Sequence, residues 1–493
     1  MALVAAGTAA VGTGAAWLIT TYRFPGRRLL SWALLAPLTV PSFIAAYAFV
    51  ELLDYAGPVQ TLIRDVFGFR NAQEYRFPDI RSMGGAAITM TFAFYPYVYL
   101  LARAAFQEQS SLTFEASRSL GSSAGQSLWR VSLPLARPAI VAGTALALME
   151  TLADFGTVEF FAVQSLTVGI FAIWLEGYNA GGAAQLALVA LSLVVLLLAL
   201  ERINRRSARF HDPTSLFRPG SGRTLHGVGG WLACLACSLP VLIGFVTPVC
   251  VLADLALPRA DRFLSSAFLL AGLRTLTVAA FAASLTVVLM LTLAFGVRNA
   301  RSPLARHAAR LATLGYAVPG AVLAVGILFP LLAVDKFLHS LQLTSGLLVG
   351  GSVFGLIAAY VVRFAAVPYG AIDAGFARVT PAMETAARTL GATRPRVLRR
   401  IQMPLLGGSL VTGGLLMFVE TVKELPATLI LRPFGYDSLA TLAYTHASLE
   451  QVGEAAPAAL AVIATGLLPA LLFRKAFWRM SWTQRVRSGR TAE

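Results

Sequence analysis

Four carboxylates stand at the ends of long, nearly uncharged runs of sequence. Glu150 and Asp154 close one run, Glu420 and Glu424 close another, and each member of the second pair lies 270 residues after its counterpart. A charge at the centre of a bilayer costs about 2.5–3.5 kcal/mol on insertion scales, so such residues usually face the interior of a bundle and have a role. Carboxylate oxygens suit a hard cation. Spaced four apart, the members of each pair are expected on one helix face. Two readings stay open. Either Glu150, Asp154, Glu420 and Glu424 line a translocation path, or they cap and pair internally, for example Glu420 with Lys423. No stable metal site is expected on the first reading, because a conduit must release what it binds.

Other chemistry finds little support. No catalytic residues are expected. The five histidines (His211, His226, His307, His339 and His446) show no metal-ligand spacing. Cys234, Cys237 and Cys250 share one apolar segment and read as small apolar side chains of a helix. Tyr95, Tyr97 and Tyr99 are phenols that a hard cation would accept, but they read first as packing residues or interface anchors. The phosphate-binding pattern G-x-x-x-x-G-K-[ST] is absent from the sequence. The chain is therefore expected neither to hydrolyse ATP nor to bind a cofactor.

A polar, Arg-rich loop occurs twice in the same 270-residue register. Glu115-Ala-Ser-Arg-Ser-Leu-Gly121 is followed thirteen residues on by Pro134, and Thr385-Ala-Ala-Arg-Thr-Leu-Gly391 thirteen residues on by Pro404. Short helices are expected on both sides of each glycine, which can adopt the left-handed conformation. Pro134 and Pro404 are expected to stop the second helix. Small residues (Ala116 and Ser117; Ala386 and Ala387) permit close approach of a partner. A generic connector lying on headgroups has no need to preserve the Gly-to-Pro spacing, so the duplication points to two docking points.

The elements that must position these residues are membrane spans. The chain has 493 residues, 57% hydrophobic and 13% charged, with mean hydropathy +0.70; a soluble domain has about 25% charged residues. An all-α polytopic membrane protein follows, with about eleven transmembrane helices of about 20 residues each. They are expected near 3–20, 30–52, 84–104, 138–160 and 184–200, then 231–253, 267–296, 310–333, 346–367, 406–430 and 456–473. Residues 1–205 form a first repeat, 206–230 a basic linker, 231–475 a second repeat and 476–493 a basic tail. The net charge of +16 falls in loops that alternate with mixed or acidic ones, which explains it by the positive-inside rule and against nucleic acid. That rule puts both repeated loops and the C-terminus in the cytoplasm and the N-terminus outside. No cleavable signal peptide is expected, since Arg23 is the first basic residue and follows the apolar stretch. The first repeat lacks a counterpart of 231–253, which implies a lost helix or a start set too late.

The two loops resemble the EAA motif of ABC importer permeases. The first matches as Glu115, Ala116, Ser117 and Gly121; in the second, Thr385 stands where Glu belongs and Glu384 is one residue early. Met149-Glu-Thr-Leu-Ala-Asp-Phe-Gly156, Val422-Lys-Glu-Leu-Pro-Ala-Thr-Leu429 and Tyr22-Arg-Phe-Pro-Gly-Arg27 are similar to fused ferric-iron permeases. That resemblance implies two tandem helical-bundle repeats of type I, MetI-like architecture in a bacterial inner membrane. It implies two cytoplasmic ABC ATPase subunits that consume the ATP, docked on Glu115, Ala116, Ser117, Gly121 and Pro134 and on Glu384, Ala386, Ala387, Gly391 and Pro404. A periplasmic solute-binding protein would deliver the cargo, and the surrounding partner is membrane lipid. Ferric iron is the implied solute. Thiamine permeases share the two-half layout, and a secondary transporter is the competing class.

Overall fold

The structure, a computed structural model, describes residues 1–109, 119, 121–206, 223–299, 303–342, 349–377 and 379–467. Glu115, Ala116 and Ser117, most of the linker and the basic tail lie outside them. Among the described residues the chain is helical, apart from a two-residue parallel bridge of Tyr22–Arg23 with Arg223–Thr224. Eight helices among the described residues are long and apolar enough to cross a membrane, and two bent pairs, each taken as one span, bring the number to ten. The shorter apolar helix Val452–Leu467 falls where the eleventh span is expected. Two compact units cut the chain differently from its repeats: Met1–Ala260 with Ala443–Leu460, and Asp261–Leu442 with the residues from Ala461 on.

In the first unit the helices are α1 (Ala2–Thr21), α2 (Arg27–Ala33), α3 (Ser42–Leu53), α4 (Pro58–Phe67), α5 (Met83–Glu108) and α6 (Leu133–Ala153). They continue as α7 (Gly156–Phe160), α8 (Leu166–Phe171), α9 (Ala180–Arg206), α10 (Val228–Val241) and α11 (Thr247–Ala256). Helices α1, α5 and α6 pack on one another. Val98 of α5 is met from two sides: a Cβ at Gly12 would lie 2.7 Å from its Cβ, and one at Gly143 2.7 Å from its Cα. Lipid is as apolar as a side chain, so helices in a bilayer associate by such close packing. Tyr95 and Tyr99 are wholly buried here, and Tyr99 donates to the Ser31 carbonyl at 3.0 Å. Packing, not interface anchoring, is their role. The expected span 30–52 is bent by 93°. Pro37 and Pro41 supply no N–H, a 3-10 turn runs over Ala36–Thr39, and α3 starts anew behind Pro41.

The second unit repeats this pattern. Its helices are α12 (Ser266–Asn299), α13 (Pro303–Ala312), α14 (Gly320–Ser340), α15 (Val353–Phe364), α16 (Ala366–Phe376), α17 (Pro381–Thr389), α18 (Met403–Val422) and α19 (Pro426–Leu431). Helix α20 (Leu439–Ser448) follows. A 3-10 turn over Leu314–Ala317 and Pro319 precede α14, so the span expected from 310 begins at Gly320. Helices α12, α16 and α18 pack together. A Cβ at Gly413 would lie 2.9 Å from the Cα of Pro368, the same crossing as Gly143 on Val98, 270 residues later.

Candidate functional site

Both repeated loops turn on a left-handed glycine, Gly121 at φ 88° and Gly391 at φ 82°. A side chain other than glycine is strained there, although the space around both Cβ positions is open. Helical turns follow at Ala124–Ser127 and Arg394–Val397. Ser123 and Gln126 cap the first reciprocally: Gln126 N donates to Ser123 Oγ at 3.2 Å and Ser123 N to Gln126 Oε1 at 2.9 Å. The structure then departs from expectation. Pro134 and Pro404 do not stop the helix but sit in the first turns of α6 and α18, directly after π turns at Leu128–Ser132 and Leu398–Gln402. A proline removes one N–H and crowds the carbonyl four residues back, and a widened turn relieves both. Such π turns are rare and cluster at functional positions. Trp129 is 74% and Leu390 88% exposed on these otherwise polar loops.

Glu384 is turned inward. Its Oε1 lies 2.8 Å from Arg298 Nε, accepts from Gln402 Nε2 at 2.8 Å, and is half-buried. Arg298 also donates to the carbonyls of Phe376 at 3.0 Å and Val379 at 2.6 Å. This clasp joins the end of α12, the end of α16, α17 and the π turn before α18. Of the two small residues on α17, Ala387 is buried and Ala386 exposed.

The carboxylates separate into two kinds. Helix α6 ends at Ala153, and Asp154 is extended at φ −68°, ψ 132°. Helix α18 ends at Val422, short of Glu424. Neither pair therefore shares one helix face, because the second carboxylate caps the helix that comes next. Asp154 accepts from Thr157 N at 2.8 Å and Thr157 Oγ1 at 2.9 Å at the start of α7, and from the Ser42 hydroxyl. Glu424 accepts from Ala427 N at 3.0 Å at the start of α19. Arg363 Nε lies 3.1 Å from its other oxygen, a charge contact outside hydrogen-bond geometry. Gly320, placed after Pro319 as Ser42 is after Pro41, makes room: a Cβ there would lie 2.6 Å from both Arg363 Nη1 and Glu424 Oε1. Glu420 pairs with Lys423 at 2.9 Å, and Glu150 is half-buried on α6.

Sequence reasoning missed Arg298, Arg363, Gln402 and Ser42. A lone arginine in the apolar run 353–364 was a legible signal, since a charge there requires a partner. The Ser42 hydroxyl and the Gln402 amide carried no such mark.

The sequence matches one family, the binding-protein-dependent transport system inner membrane component, over residues 9–210 and 287–477. The Fe(3+)-transport system permease protein FbpB 2 of Haemophilus influenzae is 25% identical over 484 residues, 96% of this chain and 88% of its own. The sulfate transport system permease protein CysT of Escherichia coli is 31% identical over 204 residues, 40% of this chain and 68% of its own. The molybdenum transport system permease protein ModB of Escherichia coli is 27% identical over 203 residues, 39% of this chain and 85% of its own. With its apolar helices, its two glycine-hinged loops and this match over both halves, the chain belongs to the binding-protein-dependent transport inner membrane component family and carries that component twice.

Proposed function

We propose that this chain is the permease through which Fe3+, delivered by an extracytoplasmic binding protein, crosses a bacterial inner membrane. The observation that carries the reading is the similarity to an Fe(3+)-transport permease along 96% of the chain, both repeats included. The sulfate and molybdenum permeases match 40% and 39%. ATP is hydrolysed by two separate subunits. They dock at 115–134 and 384–404, where Trp129 and Leu390 offer apolar surface. Their closure would move both loops and, through the π turns, α6 and α18, which is alternating access between two repeats. Glu150 and Glu420 lie along the path, while Asp154 and Glu424 hold the turns beyond α6 and α18.

The test is uptake of radiolabelled Fe3+ and of labelled thiamine into proteoliposomes that hold the chain with its ATPase and binding protein. ATP-dependent iron uptake is expected, reduced at least about tenfold by Glu150→Gln with Glu420→Gln. Thiamine uptake without iron uptake would overturn the reading.

A further inference from the structure

The first unit contains three oxygen-bearing side chains that none of the roles above uses. Tyr47 of α3 is 1% exposed, and its hydroxyl has no hydrogen-bond partner. Leaving a buried hydroxyl unpaired costs about 1–3 kcal/mol, so such a group calls for a reason. Its helix α3 packs on α7, which carries Glu159, and after burial itself the groups that act on the Tyr47 hydroxyl are the Tyr444 phenol and the carboxyls of Glu159 and Asp154. Tyr444 Oη donates to Glu159 Oε2 at 2.7 Å, and both residues are half-buried. Asp154 is already engaged by Ser42 and Thr157. Aromatic rings wall the group: Phe160 lies 4.6 Å from the Tyr47 ring, and Phe155 lies 5.8 Å from Tyr444 and 3.8 Å from Phe171 between centroids.

We propose that Tyr47, Glu159 and Tyr444 form a transient binding site for a hard trivalent cation at the outer end of the first unit. Among the described residues no three His, Cys, Asp or Glu side chains are grouped to hold a metal. Two phenols beside one carboxylate make a different set, composed wholly of hard oxygens. Each phenol releases its proton to water as its oxygen ligates, so loading expels two protons and the tyrosine–glutamate hydrogen bond opens. Tyr444 belongs to a non-basic loop region that the charge pattern puts outside, and Glu159 lies at the end of the expected span 138–160 next to another such loop, where a binding protein would hand over its cargo. The set is not duplicated between the repeats. In the 270-residue register Ala317 stands for Tyr47, Leu429 for Glu159, and Trp174 for Tyr444. That the cation is Fe3+ rests on the transport reading above.

The experiment titrates the full chain in detergent with Fe3+ supplied as its nitrilotriacetate complex. It follows the visible phenolate-to-iron charge-transfer band. A saturable band is expected, weakened at least about tenfold in affinity by Tyr47→Phe, Tyr444→Phe or Glu159→Gln, since even an outer partner of a metal ligand is worth that much. Tyr99→Phe removes a buried phenol elsewhere and is expected to leave the band unchanged. No band in the parent chain, or a band that persists in all three site variants, overturns the site. Iron uptake is measured separately: a chain that transports iron without the band refutes only the site, and one with the band but no uptake refutes only the transport reading.

Discussion

At the scale of single residues, the two halves satisfy the same requirement with different chemistry. Each must hold a carboxylate where a long helix gives way to a short one. The first half surrounds Asp154 with hydroxyls and a backbone N–H, whereas the second sets Glu424 against Arg363. Breaking a buried ion pair by removing one partner costs about 3–5 kcal/mol, because the other charge stays behind unpaired. Glu424→Gln is therefore expected to lower the thermal midpoint of the detergent-solubilised protein more than Asp154→Asn, which strands no charge. Equal shifts in the two variants would contradict this assignment. Gly320→Val should resemble Glu424→Gln, since its side chain occupies the space of the pair. The carboxylates themselves were legible in the sequence, as charges at the ends of apolar runs. Their partners were not, because a hydroxyl 112 residues away leaves no pattern along the chain.

Among the elements, the proposed mechanism rests mostly on the loops. The glycine-to-proline spacing was legible and its left-handed glycines follow from it. The helix stop at the proline was misjudged, because a π turn offers the backbone a way past a proline that propensity alone does not reveal. Gly121→Trp with Gly391→Trp places a bulky side chain in open space at positive φ. Strain of about 1–3 kcal/mol at each site falls on the loops and leaves the helix crossings untouched. Permease yield is expected to hold while the amount of co-purified ATPase drops at least about tenfold. Retention of the ATPase at parental levels would place the docking surface elsewhere. The clasp on Glu384 adds a distinction between the loops: this carboxylate works inside its own half, so its removal is expected to loosen α17 rather than to delete a contact with a partner.

For the molecule as a whole, eleven apolar segments and the alternation of basic and non-basic loops could be read directly, since each depends on local composition. The division into compact units could not, because the assignment of Ala443–Leu460 and residues 228–260 to the first unit depends on packing between distant parts of the chain. The proposed orientation makes a plain forecast. In a variant freed of Cys234, Cys237 and Cys250, a cysteine at Asn71 should react with a membrane-impermeant maleimide on intact spheroplasts. A cysteine at Ser123 should react only after permeabilisation, and the reverse result would invert the topology. The unlike surroundings of Asp154 and Glu424 have a hereditary consequence as well. A permease assembled from two copies of one polypeptide receives every mutation twice, so its halves stay alike. Here each half has its own stretch of gene, so Ser42 can serve Asp154 in one while Gly320 and Arg363 serve Glu424 in the other. A single-copy feature such as the proposed site of Tyr47, Glu159 and Tyr444 is closed to a symmetric dimer of one polypeptide and open to this chain, whose halves can be altered one at a time.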